Sequence, residues 1–548
     1  MKKLSRRDFL KLSGVTATGV AAAAVLAGCG SSGTSAPAPA PTAQPESQTN
    51  PEERTAELQV EEGVETGILP ELTIGTNSVF ATLTPFRNNN SQHYQVIKRL
   101  YDRLVYLDGD FNYSLQAAKD MKVSDDGLTF SFEIYDNIYD SEGNHITADD
   151  IVWFVEQYME NGIKPYFKKV ESITKTGDYS FDIVFTQSNV DSTNMTFAST
   201  FLVSQKAYEA SADGFATYVV STSPYKVTDY EPSNSLTMQR RDDYWMPEEL
   251  QGKYYTSNVR KITELQITEV SQMQIALETG TIQGFPALNT TIANAFVNNP
   301  DFYTCTSPSN NAYVLLYSGD EHSLCSASAD LRKALAYAID QQGVITGALA
   351  GYGEPVYDVC CRTCSGYVTD WENDEYFPYS VDTAKEYLEK AGYKGEELNF
   401  VITTTMQKVG TVMQAMWQAA GINVKLDVRD LALYNAITPA DYDLCMTMTG
   451  NGVANLWSQF FDSKAYPYGS RIGFHDDELD EMMYFTWQPA NYTPENITKV
   501  RDYINEKCYA YGVALPLIFN VVSNSVGMVG TVYNTQGYID FVNCEYKA

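Results

Sequence analysis

Residues Leu100 to Tyr158 read LYDRLVYLDGDFNYSLQAAKDMKVSDDGLTFSFEIYDNIYDSEGNHITADDIVWFVEQY. Three local patterns follow one another in this stretch. Leu100, Tyr101 and Leu104 continue a helical spacing that starts at Tyr94 and Ile97, which predicts a helix with one apolar face. Leu128, Phe130, Phe132 and Ile134 alternate with polar residues after the turn sequence Asp125-Asp126-Gly127, as in a strand with one buried face. Thr147-Ala148-Asp149-Asp150 then brings capping chemistry to a second helix, whose Ile151, Phe154, Val155 and Tyr158 form its stripe. Asp108, Asp110 and Asn112 have the spacing of a calcium loop. Tyr113 stands where the sharp-turn Gly of that loop is required, so an EF-hand is excluded.

Toward the N-terminus, Leu72–Thr76 predicts a short strand, followed by Thr82-Leu83-Thr84-Pro85 and the polar loop Arg87–Ser91. Residues 29–67 are rich in Ser, Ala, Pro and Thr and nearly free of large apolar side chains. They cannot offset their own ordering entropy and are expected to form a flexible tether. Residues 1–28 read as an export signal of the Tat type. Arg6-Arg7 precedes an apolar run too short and too rich in small residues to span a bilayer, and Leu26-Ala27-Gly28-Cys29 resembles a bacterial lipobox. That motif implies cleavage before Cys29 and lipid on its sulfur.

The 548-residue chain is 44% hydrophobic and carries a formal charge of -31, enough apolar material for more than one core under an acidic surface. Such a surface repels phosphate backbones, so nucleic acid is not an expected partner. No GxSxG, HExxH, phosphate loop or kinase signature occurs, and His93, His145, His322 and His475 have no partner at ligand spacing. The expectation is a protein without catalytic activity, cofactor or metal. Phe181, Ile183 and Phe185 predict a further strand. Val409–Ala420 predicts a helix closed by Gly421, with Ile422, Val424, Leu426 and Val428 alternating after it, the helix-turn-strand unit of α/β folds.

Taken in order, LYDRLVYLDG, VSDDGLTFSFEI and TADDIVWFVE resemble the family 5 extracellular solute-binding proteins, the peptide and nickel class that feeds ABC transporters. Thr222-Ser223-Pro224-Tyr225-Lys226 and Arg241-Asp242-Asp243-Tyr244-Trp245 are similar to two further markers of that family. So are Leu331–Asp340 (LRKALAYAID) and Ala384–Tyr393 (AKEYLEKAGY). The resemblance covers roughly residues 70–520. It implies an α/β, periplasmic-binding-protein-like two-lobe fold of the cluster C type, with an additional α+β domain and a ligand cleft between the lobes. Lobe I would comprise 68–99, 220–320 and 520–548, the additional domain 100–219, and lobe II 321–519, with closure as a hinge motion.

The resemblance also frames the cargo. In peptide-binding members an acid after a strand of the Tyr442-Asp443-Leu444 type pairs with the ligand's free α-amino group, because a desolvated ammonium needs a countercharge. Here the corresponding stretch is Thr449-Gly450-Asn451-Gly452-Val453-Ala454-Asn455-Leu456-Trp457, and the best match for the acid is Asn451, an amide without charge. Candidate ligand contacts are Asn88, Asn89 and Ser91 on the first loop, Asn310, Asn311 and Tyr313 ahead of the crossover, and Asn451 and Trp457 opposite. The expected partners are a peptide or small-molecule solute, an ABC permease, and the membrane through lipid on Cys29, with a monomeric chain on the extracytoplasmic face. An oligosaccharide cargo, drawing on Trp457 and the 39 Tyr, and a non-transporting sensor remain alternatives.

Eight other cysteines, at positions 305, 325, 360, 361, 364, 445, 508 and 544, leave their pairing open. For Cys361-Arg362-Thr363-Cys364, with Cys360 adjoining, a structural bridge is expected over metal or redox work. The N-terminal motifs yield the first test: Cys29→Ser is expected to move the protein from the membrane fraction to the soluble one, measured by fractionation and immunoblotting.

Overall fold

The apolar segments pair into one long mixed sheet. A computed structural model describes residues 58–548 except 78–80, 87–90, 108–111, 162–163, 289, 298, 451 and 466–471. Twelve strands build the sheet: β1 (Leu69–Thr76), β2 (Tyr225–Glu231), β3 (Ser235–Arg240), β4 (Val259–Gln266), β5 (Gly284–Phe285), β6 (Phe302–Pro308), β7 (Ala312–Tyr317), β8 (Gly353–Glu354), β9 (Leu398–Thr403), β10 (Val424–Arg429), β11 (Leu444–Thr449) and β12 (Ala510–Ser523). Their order is β10-β9-β11-β7-β12-β5-β1-β4-β3-β2, and β6 and β8 also pair with β12. A separate antiparallel sheet takes Ala118–Val123, Thr129–Ile134, Ser180–Phe185 and Val170–Gly177 in that order.

The helices that matter to the site are α1 (Ser91–Leu100), α2 (Ala148–Asn161), α3 (Val190–Ala198), α4 (Gln407–Ala420), α5 (Val453–Phe460) and α6 (Pro494–Lys507). Most of the expected elements form. Phe130, Phe132 and Ile134 are buried on their strand, as are Phe181, Ile183 and Phe185 on theirs. At the start of α2, Asp150 accepts hydrogen bonds from the Thr147 backbone N–H (2.9 Å) and hydroxyl (3.2 Å), and Ile151, Phe154, Val155 and Tyr158 are buried. α4 ends at Gly421 with φ +89°, a left-handed conformation in which Gly carries no Cβ strain, and β10 then pairs parallel to β9. One expectation is corrected. α1 stops at Leu100, so Tyr101 and Leu104 lie beyond it, although both remain fully buried with Ile97 and Leu100. Leu104 donates its N–H to Thr200 O (3.2 Å) rather than to a helical carbonyl.

β7 shows why the sheet divides two cores. Tyr313, Leu315 and Tyr317 face one cluster, and Ala312, Val314 and Leu316 face another, as strand alternation requires. A further core joins β1, α1, the four-stranded sheet and the C-terminal residues 522–546. The strand β7, placed with lobe I by the resemblance, pairs with β11 and with residues 510–514 of β12.

Buried polar groups tie distant markers together. Asp102 of LYDRL accepts from Trp245 Nε1 (2.6 Å), Tyr244 hydroxyl (3.0 Å) and Gln116 Nε2 (2.8 Å), which joins it to the RDDYW segment. Burial raises the Asp102 carboxyl to about 6 against the pull of those donors. Arg241 donates to the carbonyls of Ser221 (3.0 Å), Ser223 (3.3 Å), Tyr139 (3.3 Å) and Asp140 (3.0 Å), fastening the segment around TSPYK to the hairpin beside it. Arg332 of LRKALAYAID donates to the carbonyls of Cys325 (2.6 Å), Lys507 (2.7 Å) and Cys508 (2.9 Å), and so places a cation at the C-terminus of α6.

The expected cysteine bridge is not formed: the eight described cysteines are buried and outside any disulfide, and Cys361 and Cys364 lie Sγ to Sγ at 3.8 Å. They serve the interior as small apolar side chains.

Arg332→Met keeps the bulk but leaves three buried carbonyls without their donor. The expected loss is about 3 kcal/mol of unfolding free energy, read as a lower urea midpoint with an unchanged slope.

Candidate functional site

β6 and β7 both pair with β12, but with opposite halves of it: Pro308 stands across from Leu517 and Tyr313 across from Ala514. Residues 309–311 therefore form the crossover between the two halves of the sheet. Ser309 is buried and donates its N–H to Pro516 O (3.0 Å), and its hydroxyl accepts from the Asn311 N–H (3.0 Å). Asn311 Nδ2 donates to Asn310 Oδ1 (2.7 Å), and both side chains are half-buried.

The segment after β11 runs directly against this crossover. A Cβ at Gly450 would overlap the Asn310 carbonyl oxygen, so only glycine lets the two backbones meet there. Gly452 has a different neighbour: a Cβ there would overlap the carboxylate of Asp191, from the first turn of α3. Asp191 is 1% exposed. It accepts from the Ala454 N–H (2.7 Å), the Asn455 N–H (3.4 Å), Ser365 hydroxyl (2.8 Å) and Tyr492 hydroxyl (3.2 Å). The two amides are orphan donors of the first turn of α5, whose N-cap Gly452 offers no side chain. Asp191 caps that helix from a distant part of the chain, and its charge lies at the positive end of the helix dipole. Burial raises its pKa, opposed by the four donors.

Adjacent contacts extend this seam. Asn189 Nδ2 donates to Ala454 O (3.4 Å), Ser188 hydroxyl to Trp487 O (3.2 Å), and Val453 N–H to Ser365 O (2.9 Å). Thr363 hydroxyl donates to Ser309 O (3.0 Å), linking the Cys360–Ser365 turn to the crossover.

The expected contact residues fall into three groups. Asn310 and Asn311 are brought against the 449–452 segment. Asn88, Asn89 and Asn451 lie outside the described residues, as do Arg6, Arg7 and Cys29, while Ser91 opens α1. Tyr313 (8% exposed) and Trp457 (2%) are core residues in this conformation, each packed in a cluster on one side of β7. Asp191 was not foreseen from sequence. The only local signal is an acid in a first helical turn, which ordinarily serves its own helix. Among the described residues no group of His, Cys, Asp and Glu could hold a metal ion.

A long sheet shared by two halves, crossed at 309–311 and bridged by a separate α+β layer, defines the two-lobe fold of the periplasmic binding proteins. Solved structures agree. DppA from Helicobacter pylori, in complex with the peptide STSA, superposes with a TM-score of 0.70 at 18% identity, covering 88% of this chain and 99% of that one. NikA from Brucella suis, in complex with Fe(III)-EDTA, gives 0.73 at 17% identity, covering 87% and 99%. In sequence, the oligopeptide-binding protein OppA of Bacillus subtilis (strain 168) is 24% identical over 409 residues, 66% of this chain and 72% of that protein. A profile described as "Bacterial extracellular solute-binding proteins, family 5 Middle" matches residues 112–467. The chain belongs to the bacterial extracellular solute-binding proteins of family 5.

Asp191→Ala is expected to strip the first turn of α5 of its cap. Hydrogen exchange at the Ala454 and Asn455 amides should lose about 1–3 kcal/mol of protection, while amides of the four-stranded sheet keep theirs. Gly452→Ala should reproduce that local loss by pushing the carboxylate out.

Proposed function

We propose that this chain is the substrate-binding lipoprotein of an ABC importer, anchored through lipid on Cys29, which captures a peptide or peptide-like solute and hands it to a membrane permease. Family membership supports the solute-binding role, and the similarity to OppA and to peptide-bound DppA supports peptide as the cargo class. The two halves of the sheet would close by a hinge at the crossover, with 100–219 moving as the additional domain.

The observation that carries the cargo preference is the state of Asp191. The segment 449–457 contributes no acid of its own, and Asp191, which reaches it from α3, already accepts from two amides and two hydroxyls. A ligand ammonium placed beside Gly452 would have to displace those donors to obtain a countercharge, at a cost comparable to what the pairing returns. The cargo is therefore recognised along its backbone and side chains, with Asn310, Asn311 and Asn451 as amide contacts from one side and Asn88, Asn89 and Ser91 from the other. Tyr313 and Trp457 act in that reading as packing beneath the site. The burial of Trp457 removes the aromatic face that an oligosaccharide cargo would stack on.

Calorimetry tests this with a peptide that co-purifies with the protein, resynthesised with a free and with an acetylated N-terminus. The expected affinities agree within about threefold. A loss of about a hundredfold on acetylation, equivalent to about 2.7 kcal/mol, would show that a charged amine partner exists and overturn the reading.

A further inference from the structure

A cavity of about 80 Å³ lies between the end of α1, the side chains of Tyr106, Leu107 and Gln116, the Tyr254–Ser257 turn and the C-terminal segment 534–543. None of Asp191, the crossover residues or the 450–457 segment lines it. The volume suits several waters or one small anion. Three basic side chains, Lys98, Arg99 and Arg103, converge here in a chain whose net charge is -31. Arg99 is committed to an ion pair with Glu264. Among the described residues Arg103 has no such pair: it is 3% exposed, its guanidinium lies 4.5 Å from the centroid of the Tyr106 ring, and its Nε has no hydrogen-bond partner. The buried hydroxyl of Tyr255 lacks a partner as well.

Both orphan atoms can donate, and none of the buried carboxylate or amide oxygens without a partner belongs to the lining. Two carboxylates share the cavity wall with the cations: Asp102, which accepts from Gln116, Tyr244 and Trp245, and Asp540, whose Oδ2 accepts from Asn543 Nδ2 (2.9 Å). Lys98 Nζ reaches Thr535 Oγ1 at 3.5 Å on the C-terminal wall. Burial, and then the charges of Arg103 and Lys164, lower Lys98 to about 7 against the pull of Asp540.

We propose that this cavity is a second ligand site, separate from the cargo site, that takes one small oxyanion such as phosphate, sulfate or a short carboxylate on Arg103 Nε and the Tyr255 hydroxyl. Lys98 supplies the remaining charge. The anion links α1 to the C-terminal segment 534–543, so its occupancy tightens the attachment of that segment to the first half of the sheet.

The test is thermal unfolding of the full chain in phosphate, sulfate or acetate against chloride at matched ionic strength, with and without saturating peptide. The expected result is a saturable rise in Tm with at least one oxyanion, unaffected by the peptide. The fitted dissociation constant should weaken about tenfold or more in Arg103→Met and in Tyr255→Phe. Should Arg103→Met not fold, Tyr255→Phe carries the comparison, because it removes one hydroxyl and keeps the ring at 4.8 Å from that of Tyr106. No rise with any oxyanion, a rise that never saturates, or equal rises in the parent and Tyr255→Phe would leave the cavity as a water pocket and overturn the proposal. Competition by the peptide would overturn its separation from the cargo site.

Discussion

The strand β12 is the constraint on which the rest of the molecule depends. Its first five residues, Ala510–Ala514, pair with β7 and so belong to the half of the sheet that contains β9, β10 and β11. Leu517–Ser523 pair with β6, and Val521 and Val522 with β5, in the half that contains β1 to β4. A single run of backbone carries both ladders. At the hand-over stands Pro516, which has no N–H to donate but whose carbonyl accepts from Ser309. Gly512 lies within the first ladder, where a Cβ would overlap the carbonyl oxygens of Val356 and Asp358. Both residues answer to local crowding and a missing donor, and together they fix where the chain leaves one ladder for the other. The loop 309–311 has its position because β6 and β7 have no other strand to share.

That position determines what the 449–457 segment can do. It emerges from β11 beside the crossover and has to pass between the Asn310 carbonyl and the Asp191 carboxylate, which leaves no room for a side chain at 450 or 452. A sequence that places glycine at both positions gives up conformational entropy in exchange for close approach. The approach removes the side chain that would cap α5, and Asp191 replaces it from across the seam. Glycine at 452 is what admits a carboxylate from elsewhere.

The sequence revealed elements whose formation depends on neighbours a few residues away. Period-2 alternation at 130–134 and 181–185, capping at 147–150 and the glycine after α4 are interactions within one turn or one pleat, and they formed as read. The end of α1 was misjudged because the apolar spacing continues through Tyr101 and Leu104 after the helix has stopped. Burial there is served by an irregular segment in which the N–H groups of Asp102, Arg103 and Leu104 go to Thr222 Oγ1, Gln116 Oε1 and Thr200 O. The role of Asp191 and the burial of Trp457 were not legible for a related reason: a carboxylate's partners, and the face a tryptophan presents, are set by contacts far apart in the chain. The cysteines follow the same rule, since spacing suggested a bridge while burial in packed cores holds them as thiols.

The family markers, considered physically, are mostly attachments. Asp102, Trp245, Arg241 and Arg332 spend their polar atoms on neighbouring side chains or on backbone carbonyls, and none has a lining role at the crossover. Buried groups of this kind tolerate little change, because removing one partner leaves the other desolvated and unpaired. The crossover and its facing segment obey a different rule. Their polar atoms are amides at or near a surface, free to change with the ligand while the frame stays the same. The stretch that identifies the fold is therefore informative about how the domains are fastened, which is a separate matter from what the crossover and its facing segment present.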